Sequence, residues 1–277
     1  MQNQKNNSNL PLAIIGLVLL AAIVGGWWLY SSSKAQTPKS NTNSSANAAE
    51  RNAAREQAEQ ELYAKASPGA QPANMLGSPN AAVTIEEFAD YQCPTCGLEY
   101  PKMKEINALY GNRIKFIYRN FPLQMHRYGY DAAVAAEAAG LQGKLWQMQD
   151  QLFTNRQAWE NSPDARKVFE DYAQKIGLDV AKFQSDELGM AAKTRVDEDL
   201  KRGRALNVTG TPTVFINGKQ LAFEQMEVSQ MRQIIDAELQ KANNQTQSNQ
   251  PANQTTDNTN QAASNSNAAK DDSNKSK

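Results

Sequence analysis

The chain has 277 residues, with 29 Lys+Arg against 29 Asp+Glu, so its formal net charge is zero. That balance leaves no basic field to hold nucleic acid, and no acidic field either. Two cysteines and one histidine (Cys93, Cys96 and His126) could supply at most three ligands to a metal, one short of a closed structural zinc site, so no metal or cofactor is expected.

Residues 1–9 are polar and read as a cytoplasmic N-terminus. Residues 10–30 (LPLAIIGLVLLAAIVGGWWLY) carry no charge and would span about 30 Å as a helix, the thickness of a bilayer core. Trp27, Trp28 and Tyr30 stand at the end of this run, where amphipathic rings favour the headgroup level. The run is expected to be one transmembrane helix in contact with lipid. The alternative is a cleaved signal peptide, with small Ser33 and Ala35 before Gln36, although the run exceeds the about 7–15 residues of a signal core. Residues 31–80 read as a polar linker. Ser, Asn, Thr and Ala dominate 31–49, a marginal, solvated helix is expected over 50–65, and 67–80 reads as extended loop.

Residues 81–242 alternate strand and helix signals, hence α/β. A strand is expected over 82–89 and a helix over 94–109, with Leu98, Met103, Ile106 and Leu109 on its buried face. A second strand follows over 113–119, parallel to the first through a right-handed crossover. Residues 130–206 offer helices only. The runs 213–216 and 220–223 flank Asn217-Gly218, the preferred dipeptide of a type I′ hairpin. A final helix over 227–241 should bury Val228, Met231, Ile235 and Leu239. Residues 243–277 hold no aromatic or branched aliphatic residue and are expected to be a disordered tail.

Cys93-Pro94-Thr95-Cys96 follows a strand and opens a helix. Residues i and i+3 at a helix start bring their Cα atoms to about 5–6 Å, as a disulfide requires. Cys93 would face the free N–H groups and positive dipole end of the helix, which favour thiolate. Pro94 lacks an N–H where the helix needs none. Cys96, one turn inward, would be the resolving thiol. As a stability staple the bridge is poor, because its loop is too short to restrict the unfolded chain much.

Residues 83–239 resemble the DsbA-like branch of the thioredoxin superfamily. The likeness rests on FADYQCPTC, RNFPLQMH, AAEAA, the run LDVAKF…GRALNVTGTPTVFING and the last amphipathic helix. It implies a thioredoxin-like α/β fold with an inserted α-helical domain at about 127–206, the whole preceded by the transmembrane helix. It also implies that Pro212 is cis against the cysteine pair and that Thr211 offers backbone groups to substrate. From spacing alone, Thr211-Pro212 is an ordinary X-Pro pair at a strand entrance. Glu87 stands where this superfamily carries a buried acid, and shares a strand face with Val83 and Ile85. Its carboxyl would relay a proton to or from Cys96, unless it is a solvated edge residue. His126 either lines the substrate groove or lies on a surface loop. Tyr91, like Phe88 and Phe121, suits packing, yet stands close enough to the active turn to touch substrate.

The expected activity is protein thiol–disulfide exchange through Cys93–Cys96, forming disulfides in exported proteins of a bacterial periplasm or cell surface. The catalytic domain would lie on the extracytoplasmic side of the membrane as a monomer. Reduced exported chains would be its substrates and a membrane quinone-linked oxidase its re-oxidant. Strongly oxidising members of this branch carry His where Thr95 stands, which makes a weaker oxidant here. A reductase or isomerase, and a non-catalytic tethered peptide-binding module, are the alternatives.

Overall fold

The computed structural model describes residues 42–248. The segment expected to cross the membrane, 10–30, lies outside them, as do 1–9, 31–41 and 249–277. No helix among the described residues is long and apolar enough to cross a membrane. The chain divides into two compact units, residues 1–59 and 60–277. The described part of the first is the beginning of helix α1 (Thr42–Lys65), whose side chains from Ala49 to Ala58 are exposed and where Arg55 pairs with Glu59 at 2.9 Å. The marginal helix expected over 50–65 therefore starts earlier.

The second unit is built on a five-stranded sheet, in the order β1-β3-β2-β4-β5. Strand β2 (Val83–Ala89) leads through helix α2 (Pro94–Tyr110) into β3 (Ile114–Asn120), and β2 pairs parallel with β3. Strand β4 (Thr213–Ile216) lies antiparallel on the other side of β2, and turns through Asn217 (φ 48°) and Gly218 (φ 80°) into β5. This is the turn that Asn-Gly specifies. Strand β5 is Lys219–Gln220, shorter than expected, because Leu221 turns inward and residues 223–226 form a 3-10 turn instead.

The loop expected over 67–80 contains a strand, β1 (Asn74–Gly77), antiparallel to β3. Four residues with two apolar side chains give little strand signal. The outer edge of β3 supplies unpaired N–H and C=O groups, and pairing satisfies them. Gly77 ends β1 at φ 81°, where an added Cβ would lie 2.1 Å from the Ile114 carbonyl oxygen.

Between β3 and β4 stand six helices: α3 (Gly129–Gly140), α4 (Leu145–Thr154), α5 (Arg156–Glu160), α6 (Ala165–Lys175), α7 (Val180–Leu188) and α8 (Met190–Ala205). This is the inserted helical domain. Helix α9 (Val228–Ser248) ends the described residues, so 243–248, expected as tail, continues the helix. Met231 and Ile235 are fully buried in it, with Val228 and Leu239 packed beside them.

Alternation along β2 sends its side chains to opposite faces, and both faces are covered. Val83 and Ile85 join the main core with Met103 and Ile106 of α2. Phe88 packs on the other side with Phe121, Leu206, Val208 and Phe215, in a smaller aromatic core. That smaller core also receives Tyr63, from the last turn of α1, at 5.6 Å from the Phe215 ring. On α2 the buried stripe is Cys96, Glu99, Met103, Ile106 and Tyr110, while Leu98 and Leu109 are exposed. The expected apolar face is thus rotated, and an acid occupies one of its buried positions.

Candidate active site

Cys93 occupies the N-cap of α2, with extended backbone (φ −67°, ψ 122°), and Pro94 takes the first helical position. Its N–H donates to the Asp90 carbonyl at 3.1 Å, and its carbonyl accepts from the N–H of Gly97 at 3.1 Å. The two cysteines are free thiols with unequal surroundings. Cys93 keeps 6% of its surface accessible, whereas Cys96 has none. The Cys93 thiol donates to the Thr211 carbonyl at 3.4 Å, and the Thr211–Pro212 bond that follows is cis. Fold topology therefore brings together the start of α2 and the entrance to β4, segments 118 residues apart.

This environment separates the two thiols. A hydrogen bond from the Cys96 thiol and the N–H groups of Cys96 and Thr95 outweigh burial and draw Cys93 from 9.0 down to about 5. Burial, then the hydrogen bond to Cys93 and the charge that Cys93 carries, pushes Cys96 far upward. At neutral pH the reduced pair is one thiolate with a small accessible surface beside one fully buried thiol. A thiolate attacks disulfides and departs readily as a leaving group, so the arrangement can perform thiol–disulfide exchange.

Glu87 is buried on β2, opposite Tyr118 of β3 and Val214 of β4. Burial first, then the charge of Glu99, raises its carboxyl to about 8. Glu86, its neighbour, points the other way and is also buried, which strand alternation by itself does not show. Arg119 Nε donates to Glu86 Oε1 at 2.6 Å, and Arg202 of α8 donates to Oε1 at 2.7 Å and Oε2 at 2.8 Å. Burial would raise Glu86, but these two guanidinium groups hold it below the usual range. Arg119 also reaches Asp199 at 2.9 Å. The network ties β2 and β3 to the helical insertion.

The Tyr91 ring is packed in the interior. It is buried, with Phe153 at 4.9 Å and Tyr118 at 5.4 Å between ring centres, because the insertion closes over it. His126 lies partly buried on the loop after β3, and its Nδ1 is 2.6 Å from Asp90 Oδ2. Asp90 also accepts from the N–H of Gln92 and of Leu123, each at 2.8 Å. His126 is thus joined to the active turn through Asp90, a carboxylate that the sequence reading passed over. Its position three residues before Cys93 was the available signal. Arg156, from α5, reaches the Gln92 carbonyl at 3.4 Å and pairs with Glu160. No group of metal-ligating side chains occurs among the described residues.

Residues 70–237 match the family described as Thioredoxin. Among solved structures, the thiol-disulfide exchange protein alpha-DsbA2 from Wolbachia pipientis superposes with a TM-score of 0.57 at 18% identity, over 66% of this chain and 97% of that one. BdbD from Bacillus subtilis, in its oxidised form, superposes with a TM-score of 0.51 at 23% identity, over 63% and 98%. At such identities the likeness concerns the fold. The Na(+)/H(+) antiporter NhaA 1 of Mycolicibacterium gilvum (strain PYR-GCK) is 36% identical over 150 residues, 53% of this chain and 24% of that protein. The chain spans about a quarter of that relative's length, so ion antiport does not transfer with the match. A family match that begins just before β1 and ends within α9, around a sheet interrupted by a helical insertion, shows that this chain belongs to the thioredoxin family, with a fold like those of alpha-DsbA2 and BdbD.

Proposed function

We propose that the chain is a thiol–disulfide oxidoreductase that forms disulfides in exported proteins, held by residues 10–30 to the outer side of a cell membrane. The observation that carries this reading is the asymmetry of the pair: Cys93 drawn down to about 5 beside Thr211, and Cys96 fully buried. In the oxidised enzyme, a substrate thiolate attacks Cys93 Sγ and expels Cys96 as a thiolate, which takes up a proton. A second substrate thiolate then attacks the substrate sulfur of the mixed disulfide and expels Cys93. Two substrate thiols become a disulfide, and the enzyme retains both electrons. A low-pKa Cys93 favours the last step, because it leaves as a stabilised anion. Thiolate stabilisation also favours the reduced pair, hence an oxidant. Glu87, buried beneath α2, serves proton exchange at Cys96. Pro212 and the Thr211 backbone border the sulfur that substrate must reach.

The extracytoplasmic placement is supported by the apolar run and by the persistence of such disulfides only in oxidising compartments. With two cysteines, the chain has no internal relay, so a membrane quinone-linked oxidase is proposed as its re-oxidant. The test is the equilibrium potential of the Cys93–Cys96 pair against glutathione, together with oxidative refolding of a reduced model protein. A potential near those of glutaredoxins or above, about −230 mV or higher, with catalysed refolding supports the oxidase. A potential near that of thioredoxin, about −270 mV, with preferred reduction of disulfides would make it a reductase, a direction Thr95 favours.

A further inference from the structure

Glu99 lies one turn beyond Cys96 on the buried stripe of α2 and is 2% exposed. Positions i and i+3 share a helix face, so its carboxylate belongs to the same buried neighbourhood as the resolving sulfur. Its Oε1 atom is buried and has no hydrogen-bond partner, an expensive position for a carboxylate with no further task. Its other oxygen, Oε2, is 3.3 Å from Lys102 Nζ, and Lys102 Nζ is 2.7 Å from Glu227 Oε1, at the start of α9. Side-chain exposure climbs along this line from 3% at Glu99 to 27% at Lys102 and 64% at Glu227. The line thus runs from a buried position on the active helix to solvent.

We propose that Glu99 is the proton outlet of the resolving cysteine, exchanging protons with Glu87 on its inner side and with solvent beside Lys102 and Glu227 on its outer side. The inference rests on the thiol–disulfide exchange reading above and extends it. Cys96 is closed to solvent, yet every cycle must add a proton to its sulfur and remove one. When Cys96 leaves as a thiolate, Glu87 donates a proton to it and regains one from Glu99, which takes one from solvent. When Cys96 attacks a mixed disulfide, the proton travels the other way, and no further oxidant or reductant is needed. Burial raises Glu99, and burial with the charge of Glu99 raises Glu87 to about 8, so Glu87 can hold a proton at neutral pH. Lys102 opposes the first of these effects and keeps Glu99 able to ionise.

The experiment compares the wild type with Glu99→Gln in the full chain, by stopped-flow reduction with dithiothreitol across pH 5–9. Glu99→Gln should slow the step at Cys96 by about ten-fold or more. Alkylation of Cys93 by iodoacetamide and the equilibrium potential should remain at wild-type values. In the same variant the Glu87 carboxyl, followed by carbon NMR, should titrate at lower pH, because its charged neighbour is gone. A structural role alone would alter melting temperature without moving the Glu87 titration. Should Glu99→Gln not fold, Lys102→Met supplies the second arm, which should leave Glu99 protonated to higher pH and slow the same step. Unchanged Cys96 kinetics in a folded variant would overturn the proposal. Absence of thiol exchange in the wild type would instead remove the functional reading on which it rests.

Discussion

At the scale of single residues, the site works through a difference in environment between two identical side chains. Cys96→Ser should accumulate mixed disulfides with reduced proteins, because Cys93 still attacks and nothing resolves the adduct, whereas Cys93→Ser should accumulate few. Non-reducing gels score this, and absorbance near 240 nm should titrate the reduced wild type near pH 5. Glu87 gives a prediction with a definite sign. Its folded pKa, about 8, exceeds the unfolded value of about 4.3, so the native state keeps a proton that the unfolded state releases. The stability tied to this proton is complete below pH 4.3 and is lost progressively as pH rises to about 8. Glu87→Gln lacks that loss. The stability of the variant relative to the reduced wild type should therefore rise between pH 4.5 and 8, by on the order of 2–4 kcal/mol in urea unfolding. A flat difference across that range would mean that Glu87 is not buried as a neutral acid. The role of Cys93 was legible from its spacing and helix start. The packing of Tyr91 was legible too, but not the rings that cover it, because Tyr118 and Phe153 come from β3 and α4.

Among the elements, the helical insertion and the sheet are joined by charge as well as by apolar packing. Arg119 donates to Glu86, to Asp199 and to the carbonyls of Ala70 and Pro68, all within a nearly dry region. Breaking such a group by removing one partner leaves the remaining charges buried and uncompensated. Arg119→Met should cost about 3–5 kcal/mol in urea unfolding, and a cost under about 1 kcal/mol would show that water enters the network. Asp199 extends the same junction by accepting from the N–H of Ala70 at 2.9 Å and of Asn120 at 3.1 Å. Burial raises it to about 6 against the pull of Arg119. The parallel β2–α2–β3 unit was readable, since two apolar strands around one helix permit little else. Strand β1 was not readable, because its pairing is dictated by the open edge of β3 rather than by its own residues.

For the whole molecule, the proposed function depends on where the catalytic domain works. If residues 10–30 anchor it outside the cytoplasm, a membrane-impermeant maleimide should label Cys93 of the reduced protein in intact cells, or in spheroplasts where an outer membrane is present. Labelling only after lysis would place the domain inside, and the proposal of disulfide formation in exported proteins would fall with it. No helix among the described residues is long and apolar enough to cross a membrane.

The sequence by itself determined the redox pair, the α/β alternation, the Asn217-Gly218 turn and the helical character of the insertion. Each of these rests on local chemistry: cysteine spacing at a helix start, hydrophobic period, and a dipeptide tolerant of positive φ. Only the tertiary structure decided that Thr211 meets Cys93, that Glu86 is interior as well as Glu87, and that Asp90 holds His126. Those outcomes depend on contacts between segments far apart in the chain, where burial and the placement of charges set each group's proton affinity.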